Sequence, residues 1–398
     1  MKKKKLNFTS IVLISMVLGI IVGNFMTRCP EIAAKYIYPI GEVYINLLKL
    51  LVVPVVLISI INGVVSLGDI KKIGTVGLTT ILFFLATTIL ATTFGLISAN
   101  IFKPLFPTFD LGGLTYEAVQ TNFLDVLLGI FPSNWLTPLI ESDMLGVIFI
   151  AVLTGFGILL AGENGKKVGE FFNSFNDVIL HMMRLIIGLT PIGVFCLMIS
   201  TIAQNGLSFV PTLGIVLLAA YVTYIVFMIV VYGLSVKLIG KMSPIYFFKK
   251  VAFVMTMAFS TASSNATLPS TIKIARDIGC DENITSFVAP LGCTIHMDGS
   301  AIYIGIITVF IAKCYGVNLT LIDLLTVVVM SIFASIGTAG VPGAAMIMTT
   351  MVLQSLGLPI EGIALIAGID KLLDMGRTCL NVTGDVVASL VVTKILKK

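Results

Sequence analysis

The sequence predicts an all-α polytopic membrane protein. Three observations carry that prediction: a composition poor in charge, a series of apolar stretches long enough to span a bilayer, and two further apolar segments broken by Gly, Ser, Thr and Pro. Of 398 residues, 57% are hydrophobic and 11% charged, and the mean hydropathy is +1.08. Soluble chains carry about 25% charged residues. A secreted globular enzyme, a disordered chain and a nucleic-acid-binding module are excluded on that ground. The net charge of +5 lies in small clusters at segment ends, so no nucleic-acid partner is expected and membrane lipid is the main surrounding.

A span needs roughly 20 mostly apolar residues. Residues 7–27, 40–67, 74–101, 144–162, 168–202, 209–239, 284–315 and 358–395 qualify. The first follows Met1 and Lys2 to Lys5, as the core of a signal peptide would. No small-residue cleavage site follows it, so it is taken as the first membrane helix. Between the third and fourth spans stand Pro104, Pro107, Pro132, Pro138 and Trp135 with Asp110, Glu117, Asp125, Glu141 and Asp143. That composition predicts an outer loop with short interfacial helices.

Basic residues fix the orientation. Lys2 to Lys5, Lys71, Lys72, Lys166, Lys167, Lys237, Lys241, Lys249, Lys250, Lys394, Lys397 and Lys398 all fall on one side if the crossings alternate. Both termini are then cytoplasmic. The outer side keeps mainly Arg28, Lys35, Lys103 and Lys313. Short loops point to a prokaryotic inner-membrane protein. The six cysteines lack metal-like spacing and are taken as small packing residues.

The two broken segments do not fit as simple spans. Residues 252–272 contain Ser260 to Pro269 and return to a basic flank at Lys273 and Arg276, so they enter and leave on the inside. Residues 320–356 are interrupted at Ser335 to Gly343 and dip in from outside. Irregular backbone at membrane depth survives only inside protein or beside a wet cavity. Two such segments point to a midplane binding site in a secondary transporter. Gly- and Ser-rich helix-packing faces are the alternative.

The last span holds most of the chemistry. Asp370, Asp374, Arg377, Asn381 and Asp385 fall within an arc of about 80° on a helix. Ionisable groups at membrane depth cost at least about 2.5 kcal/mol each, so such a stripe is a functional candidate; salt bridges packed inside a bundle are the plainer reading. Lys371 lies about 100° away and is expected to snorkel or pair locally. In span seven, Thr294, His296, Asp298 and Ser300 alternate with Ile295, Met297 and Gly299. That period of two predicts a locally extended stretch, eased by Gly292 and Gly299, whose carbonyls and carboxylate suit a hard cation. Thr87 and Thr88 put hydroxyls in span three, where bonding back to their own helix is the ordinary reading. Arg377 can fork onto a ligand carboxylate and Asp374 can take a ligand ammonium. Asp298 and Asp385 then lack obvious protein cations. The pattern points to a zwitterionic acidic substrate with co-transported cations.

These residues resemble the glutamate transporter family, the dicarboxylate/amino acid:cation symporters. The resemblance covers nearly the whole chain and is most specific in four motifs. They are Thr261-Ala-Ser-Ser-Asn-Ala-Thr-Leu-Pro269, Thr294-Ile-His-Met-Asp-Gly-Ser300, Ser335-Ile-Gly-Thr-Ala-Gly-Val-Pro-Gly343, and the last-span run from Asp370 through Asp-Met-Gly-Arg-Thr to Asn-Val-Thr-Gly-Asp385. The broken-helix rule was itself drawn in part from this family, so it is not independent support. The resemblance implies eight membrane helices, two re-entrant hairpins, inverted repeats and a homotrimer. It implies a fixed scaffold in residues 1–73 (helices one and two) and 104–205 (outer loop, helices four and five). A transport unit that moves as an elevator would comprise 74–103 (helix three) and 206–398, with hairpins at about 247–282 and 320–356. The second hairpin would be the outer gate.

By the same resemblance, Arg377 holds the side-chain carboxylate of aspartate or glutamate, supported by Ser300. Asp374 accepts the amino group. Thr378 and Asn381 serve the amino and main carboxylate groups, with Ser264 and the backbone of Val341 and Gly343. Sodium is the coupling ion. One sodium site would use Asp385 with carbonyls of Gly292, His296 and Asn381; a second, backbone oxygens of Thr294, Ser335, Ile336 and Thr338 near Met297; a third, Asp298 with Thr87 and Thr88. Dicarboxylate-carrying relatives lack a carboxylate at the position of Asp374, and neutral amino acid relatives lack the arginine at Arg377. Having both favours an acidic amino acid.

Three departures stand out. His296 replaces the usual asparagine of sodium-coupled relatives. Histidine is the side chain most easily made a proton carrier, so proton-coupled transport of an acidic amino acid or dicarboxylate through His296 is the alternative. Ser300 replaces a common threonine. Ala262 and Met375 stand where relatives often carry an extra arginine. His181 is expected to be a scaffold packing residue. An intramembrane hydrolase using Ser263 or Ser264 with His296 and Asp298 is the rival from another class, but it leaves Arg377, Asp374 and Asp385 unexplained. An anion channel would want a positive ring, and the stripe offers one arginine among acids.

Overall fold

The computed structural model describes residues 8–108, 131–338, 340 and 343–396. Among the described residues every regular element is a helix. Short turns aside, they are α1 (Phe8–Met26), α2 (Tyr38–Ile73), α3 (Thr75–Phe102), α4 (Met144–Leu160), α5 (Gly162–Gly188) and α6 (Thr190–Asn205). Then come α7 (Val210–Phe227), α8 (Gly233–Leu238), α9 (Pro244–Thr261), α10 (Ser264–Asp277) and α11 (Glu282–Ile295). The last are α12 (Asp298–Cys314), α13 (Leu321–Gly337), α14 (Ala344–Ser355) and α15 (Asp370–Leu396).

Among the described residues, five stretches are long and apolar enough to cross a membrane: Pro30–Val65, Thr75–Leu105, Val210–Leu238, Glu282–Cys314 and Asp370–Leu396. The expected span at 168–202 is instead a bent pair. It breaks by 46° between α5 and α6, where Pro191 begins the new helix and cannot donate to the old one. Lys166 and Lys167 sit on α5 itself, Lys166 paired to Glu163 at 2.6 Å, rather than in a loop before it. α4, with 17 residues, is at the lower edge for a span. Leu78, Leu82, Ile97, Leu153, Leu185, Ile225 and Ile229 are exposed on the helix faces, as suits an apolar solvent. Of the loop between the third and fourth spans, the short helix Thr137–Glu141 is present. Asp110, Glu117 and Asp125 lie outside the described residues.

The helices pack as two groups. α1, α2, α4, α5 and α6 pack on one another, while α3 and α7 to α15 form the second group around α12 and α15. Contact between the groups runs chiefly through α13 and α14 against α2. The middle of the second group is the most buried part: α12 is almost wholly buried, from Asp298 to Cys314.

Both broken segments are helix pairs. α9 ends at Ala262 in the left-handed region (φ 48°), and extended Ser263 caps α10 by accepting from the Ala266 N–H. The turn therefore lies at 262–263, and Pro269 is inside α10 rather than at the break. The second pair turns between α13 and α14, with Gly343 at φ 81°, a conformation glycine takes without strain. The two tips meet. Ser263 Oγ donates to the Gly340 carbonyl at 3.0 Å and Asn265 N–H to the same oxygen at 3.3 Å.

The extended stretch expected around Thr294 to Ser300 shrinks to two residues. Only His296 (φ −115°, ψ 82°) and Met297 (φ −116°, ψ 55°) leave the helix. Thr294 remains helical, its hydroxyl bonded back to Leu291 O at 2.8 Å. Gly292 and Gly299 are helical too, and their value is close approach. A Cβ on Gly292 would strike the Asp385 carboxylate, and one on Gly299 would stand 2.7 Å from Arg377 Cα.

Candidate functional site

α15 carries its polar stripe into the core, and the stripe divides into two clusters. Asp370, Asp374, Arg377, Asn381 and Asp385 are all buried. In the first cluster, Arg377 Nη1 and Nη2 donate to Asp370 at 2.9 and 3.4 Å, and Nε donates to Asp374 Oδ1 at 3.0 Å. The guanidinium carbon lies 4.4 Å from the centre of the Tyr303 ring, a cation–π geometry. Lys371 does pair locally: its Nζ is 3.5 Å from Asp374 Oδ2, which also accepts the Gly343 N–H at 3.3 Å.

This cluster opens on a tight polar cavity between the two tips, with free space of only about 10 Å³. Ser264, Ser300, Asp374, Arg377, Thr378 and Asn381 line it, together with Ala262, Met297, Thr338, Gly340 and Ala345. Six of the residues expected around the substrate thus face one space. Gly343 stands beside it, bonded to Asp374. Val341 lies outside the described residues. With Ala262 at the tip and no basic side chain at Met375, Arg377 is the cation facing the cavity among the described residues.

The second cluster is centred on His296, which is fully buried. Its Nε2 is 3.1 Å from Asp298 Oδ2 and its Nδ1 is 3.2 Å from Asp385 Oδ1. The expectation that these two carboxylates lack a basic partner is therefore corrected: His296 bridges them because the two-residue break in span seven aims its ring between α12 and α15. A neutral ring donates from one nitrogen and an imidazolium from both. Phe84 stacks on the ring at 4.2 Å. Tyr232 donates to Asp298 Oδ2 at 2.8 Å and Thr88 to Asp298 Oδ1 at 3.0 Å. Thr87 bonds back to Phe84 O at 3.1 Å and also meets His296 Nε2 at 2.9 Å. The back-bonding reading thus holds for Thr87 and fails for Thr88. Cys293 Sγ lies 3.7 Å from Asp385 Oδ2.

Residues expected at the other cation sites lie around the break. Met297 N–H donates to Ser335 Oγ at 2.8 Å, and that hydroxyl donates to Ile295 O at 3.1 Å. Asn381 accepts from the Gly299 N–H at 2.7 Å and lies 3.1 Å from Met297 Sδ. Thr338 lines the cavity, the Ile336 side chain packs toward Gly63, and Thr294 is exposed. The Gly292 carbonyl accepts the His296 N–H at 2.9 Å.

Sequence reasoning passed over Tyr232, Tyr303, Phe84 and the pairing role of Asp370. Asp370 was on the stripe. A Tyr in an apolar span gives little signal, although the π-helical turn Met228–Tyr232 is a kind of irregularity that favours functional places. His181, expected to pack, is exposed and bonded to Asp177 O at 2.8 Å, because it lies on the polar face of α5. Neither Ser263 nor Ser264 is among the partners of the His296 ring, so no nucleophile–base pair forms.

A sequence model of the sodium:dicarboxylate symporter family matches residues 8–395. The chain is 34% identical to the proton/sodium-glutamate symport protein of Geobacillus stearothermophilus, over 98% of this chain and 95% of the other. It is 33% identical to the proton/glutamate-aspartate symporter of Escherichia coli, over 99% and 94%. It is 30% identical to the C4-dicarboxylate transport protein of Bacillus subtilis, over 98% and 93%. The family and these relatives are transporters and not enzymes, which removes the hydrolase reading. The chain is a multi-pass membrane protein and belongs to the sodium:dicarboxylate symporter family.

Proposed function

We propose that the chain is a secondary active symporter that carries aspartate or glutamate into the cell with coupled sodium ions. One observation carries the reading: Arg377, Asp374, Thr378, Asn381, Ser300 and Ser264 converge on a single cavity closed by two helix-pair tips. A guanidinium presents paired donors that match a carboxylate; Asp370 takes that fork in the structure, and a substrate carboxylate exchanges with it. Asp374 answers the substrate ammonium. Thr378, Asn381, Ser300 and Ser264 supply neutral polar groups for the main carboxylate and the backbone-like end. Names of relatives that refer to glutamate and aspartate support this substrate class. Aspartate against glutamate is a one-methylene choice, worth only about 1–3 kcal/mol.

In this reading the first packing group is the scaffold of a homotrimer in the inner membrane, with both termini in the cytoplasm. The second group, carrying the cavity, moves as an elevator. The second helix pair is the outer gate, and its contact with α2 is the surface that slides. Sodium ions are cargo, held at Asp385, at the Met297 break and at Asp298.

A second reading has its own observation. His296 fills the space between Asp298 and Asp385, so a proton on its ring supplies the positive charge that sodium supplies otherwise. Proton-coupled entry is then the alternative, and relatives named for protons and for both ions support it.

Uptake of labelled aspartate and glutamate into proteoliposomes, with sodium and proton gradients imposed separately, tests both readings. Sodium-driven uptake supports the first and proton-driven uptake the second; uptake indifferent to both gradients refutes symport. Arg377→Ala should abolish acidic-substrate binding, and retained affinity would remove its assigned role.

A further inference from the structure

Both oxygens of Asp374 are engaged by the protein itself. Oδ1 accepts from Arg377, and Oδ2 accepts from the Gly343 N–H and from Lys371 at 3.5 Å. Lys371 is three residues earlier on α15, and its side chain is 12% exposed. It lines a second, narrow cavity with free space of about 20 Å³, bounded by α1, α5, α14 and the start of α15. Asp374 lines both cavities, so it is the wall between them. Arg377 faces one side and the Lys371 ammonium the other. Two carboxylates, Asp370 and Asp374, are matched by these two cations.

We propose that Lys371 is a resident stand-in for the substrate ammonium and thereby the residue that sets the balance between acidic amino acids and the amine-free dicarboxylates the family is named for. The inference rests on the acidic-substrate reading above. A diacid without an amine leaves Asp374 in its pair with Lys371, so no buried carboxylate loses its counterion. An amino acid brings its own ammonium, and Lys371 withdraws into the second cavity. Removing the lysine charge therefore helps the amino acid, which no longer has a competitor. It harms the diacid, which then meets an acid-rich wall.

The test measures the inhibition constants of succinate and aspartate against labelled substrate in proteoliposomes of the full chain. Succinate should compete in the parent protein. In Lys371→Met the ratio of succinate to aspartate constants should rise by about tenfold, which is about 1.4 kcal/mol. Lys371→Arg, which keeps the charge, should hold the parent ratio, and Lys371→Gln gives a second neutral variant if the methionine variant folds poorly. A parent protein that ignores succinate, or a ratio unmoved in the neutral variants, overturns the proposal. Failure of the parent to bind aspartate or glutamate at all would instead overturn the substrate reading beneath it.

Discussion

Gly384 faces the His296 cluster, and replacing it with Ala is the sharpest test of that cluster. A Cβ there would stand 2.8 Å from His296 Cε1 and 2.9 Å from Tyr232 Cζ, with the tyrosine oxygen nearer still. Ordinary contact begins at 3.4 Å. The α15 backbone cannot retreat without dragging Asp385, its neighbour in sequence, so the rings must give by about 0.6 Å. The bonds they make are 2.8 Å from Tyr232 to Asp298, 3.1 Å from His296 to Asp298 and 3.2 Å from His296 to Asp385. A shift of that size takes the histidine contacts beyond good hydrogen-bond length. Overpacking costs about 1–3 kcal/mol, and each lost bond to a charged group about 1.5–3 kcal/mol. One lost bond at the lower figure alone predicts a rise of about tenfold in the half-saturating coupling-ion concentration. The assay is initial uptake rate against sodium at fixed pH, and against pH at fixed sodium. Substrate affinity at saturating ion should change much less, since Arg377 lies two helical turns away. Tyr232→Phe removes the closest atom, so the double variant should lose less than the two single effects added. An ion dependence identical to the parent's in Gly384→Ala would refute the claim that this packed cluster governs coupling.

Two other substitutions bear on the same helices. His296→Asn should weaken proton-driven uptake and strengthen sodium dependence, measured with the separated gradients; identical profiles in parent and variant would mean that His296 does not tune coupling. Gly299→Ala puts a methyl 2.7 Å from Arg377 Cα and 2.8 Å from its carbonyl carbon, so α12 and α15 must part. It should lower detergent-phase thermal stability by about 1–3 kcal/mol and weaken substrate binding, and a wild-type melt with wild-type affinity would contradict the packing argument.

Much of this was legible in the sequence because the bilayer penalises charge. An Asp or Arg in an apolar span stands out, and five polar residues at helical spacing identify a face without any knowledge of what it meets. The cavity residues were found that way and through four local motifs. Partners across space were another matter. His296 and Asp385 are 89 positions apart and Tyr232 and Asp298 are 66 apart, and no periodicity links them. The glycines show the same limit. In sequence Gly292 and Gly299 read as loose backbone, yet both are helical and serve the close approach of α15. The bend between α5 and α6 escapes a hydropathy reading because the apolar run continues through Leu189, although Gly188, Thr190 and Pro191 mark the break. Helix ends obey caps and prolines more faithfully than hydropathy does.

The charge arrangement has a mechanistic consequence. In a low-dielectric interior, a carboxylate without a counterion is expensive, and a partner removed leaves the other charge exposed to that expense. Here the core acids already have basic neighbours on the chain: Asp370 and Asp374 have Arg377 and Lys371, and Asp298 and Asp385 share His296. Ligands entering such a site do not fill vacancies; they exchange with residents. In the proposed reading a substrate carboxylate would compete with Asp370 for the Arg377 fork, an ammonium with Lys371 for Asp374, and a cation with the His296 ring for the two acids. Exchange keeps the buried charge nearly level between the loaded and empty forms. In the proposed elevator reading that levelling would matter, because the site would travel through lipid and the penalty scales with unpaired charge and not with the number of charged residues. Selectivity in this arrangement is set by how firmly each resident is held. Lys371, at 3.5 Å and partly exposed, is the loosest of them, and His296, stacked on Phe84 and bonded on both sides, is among the firmest.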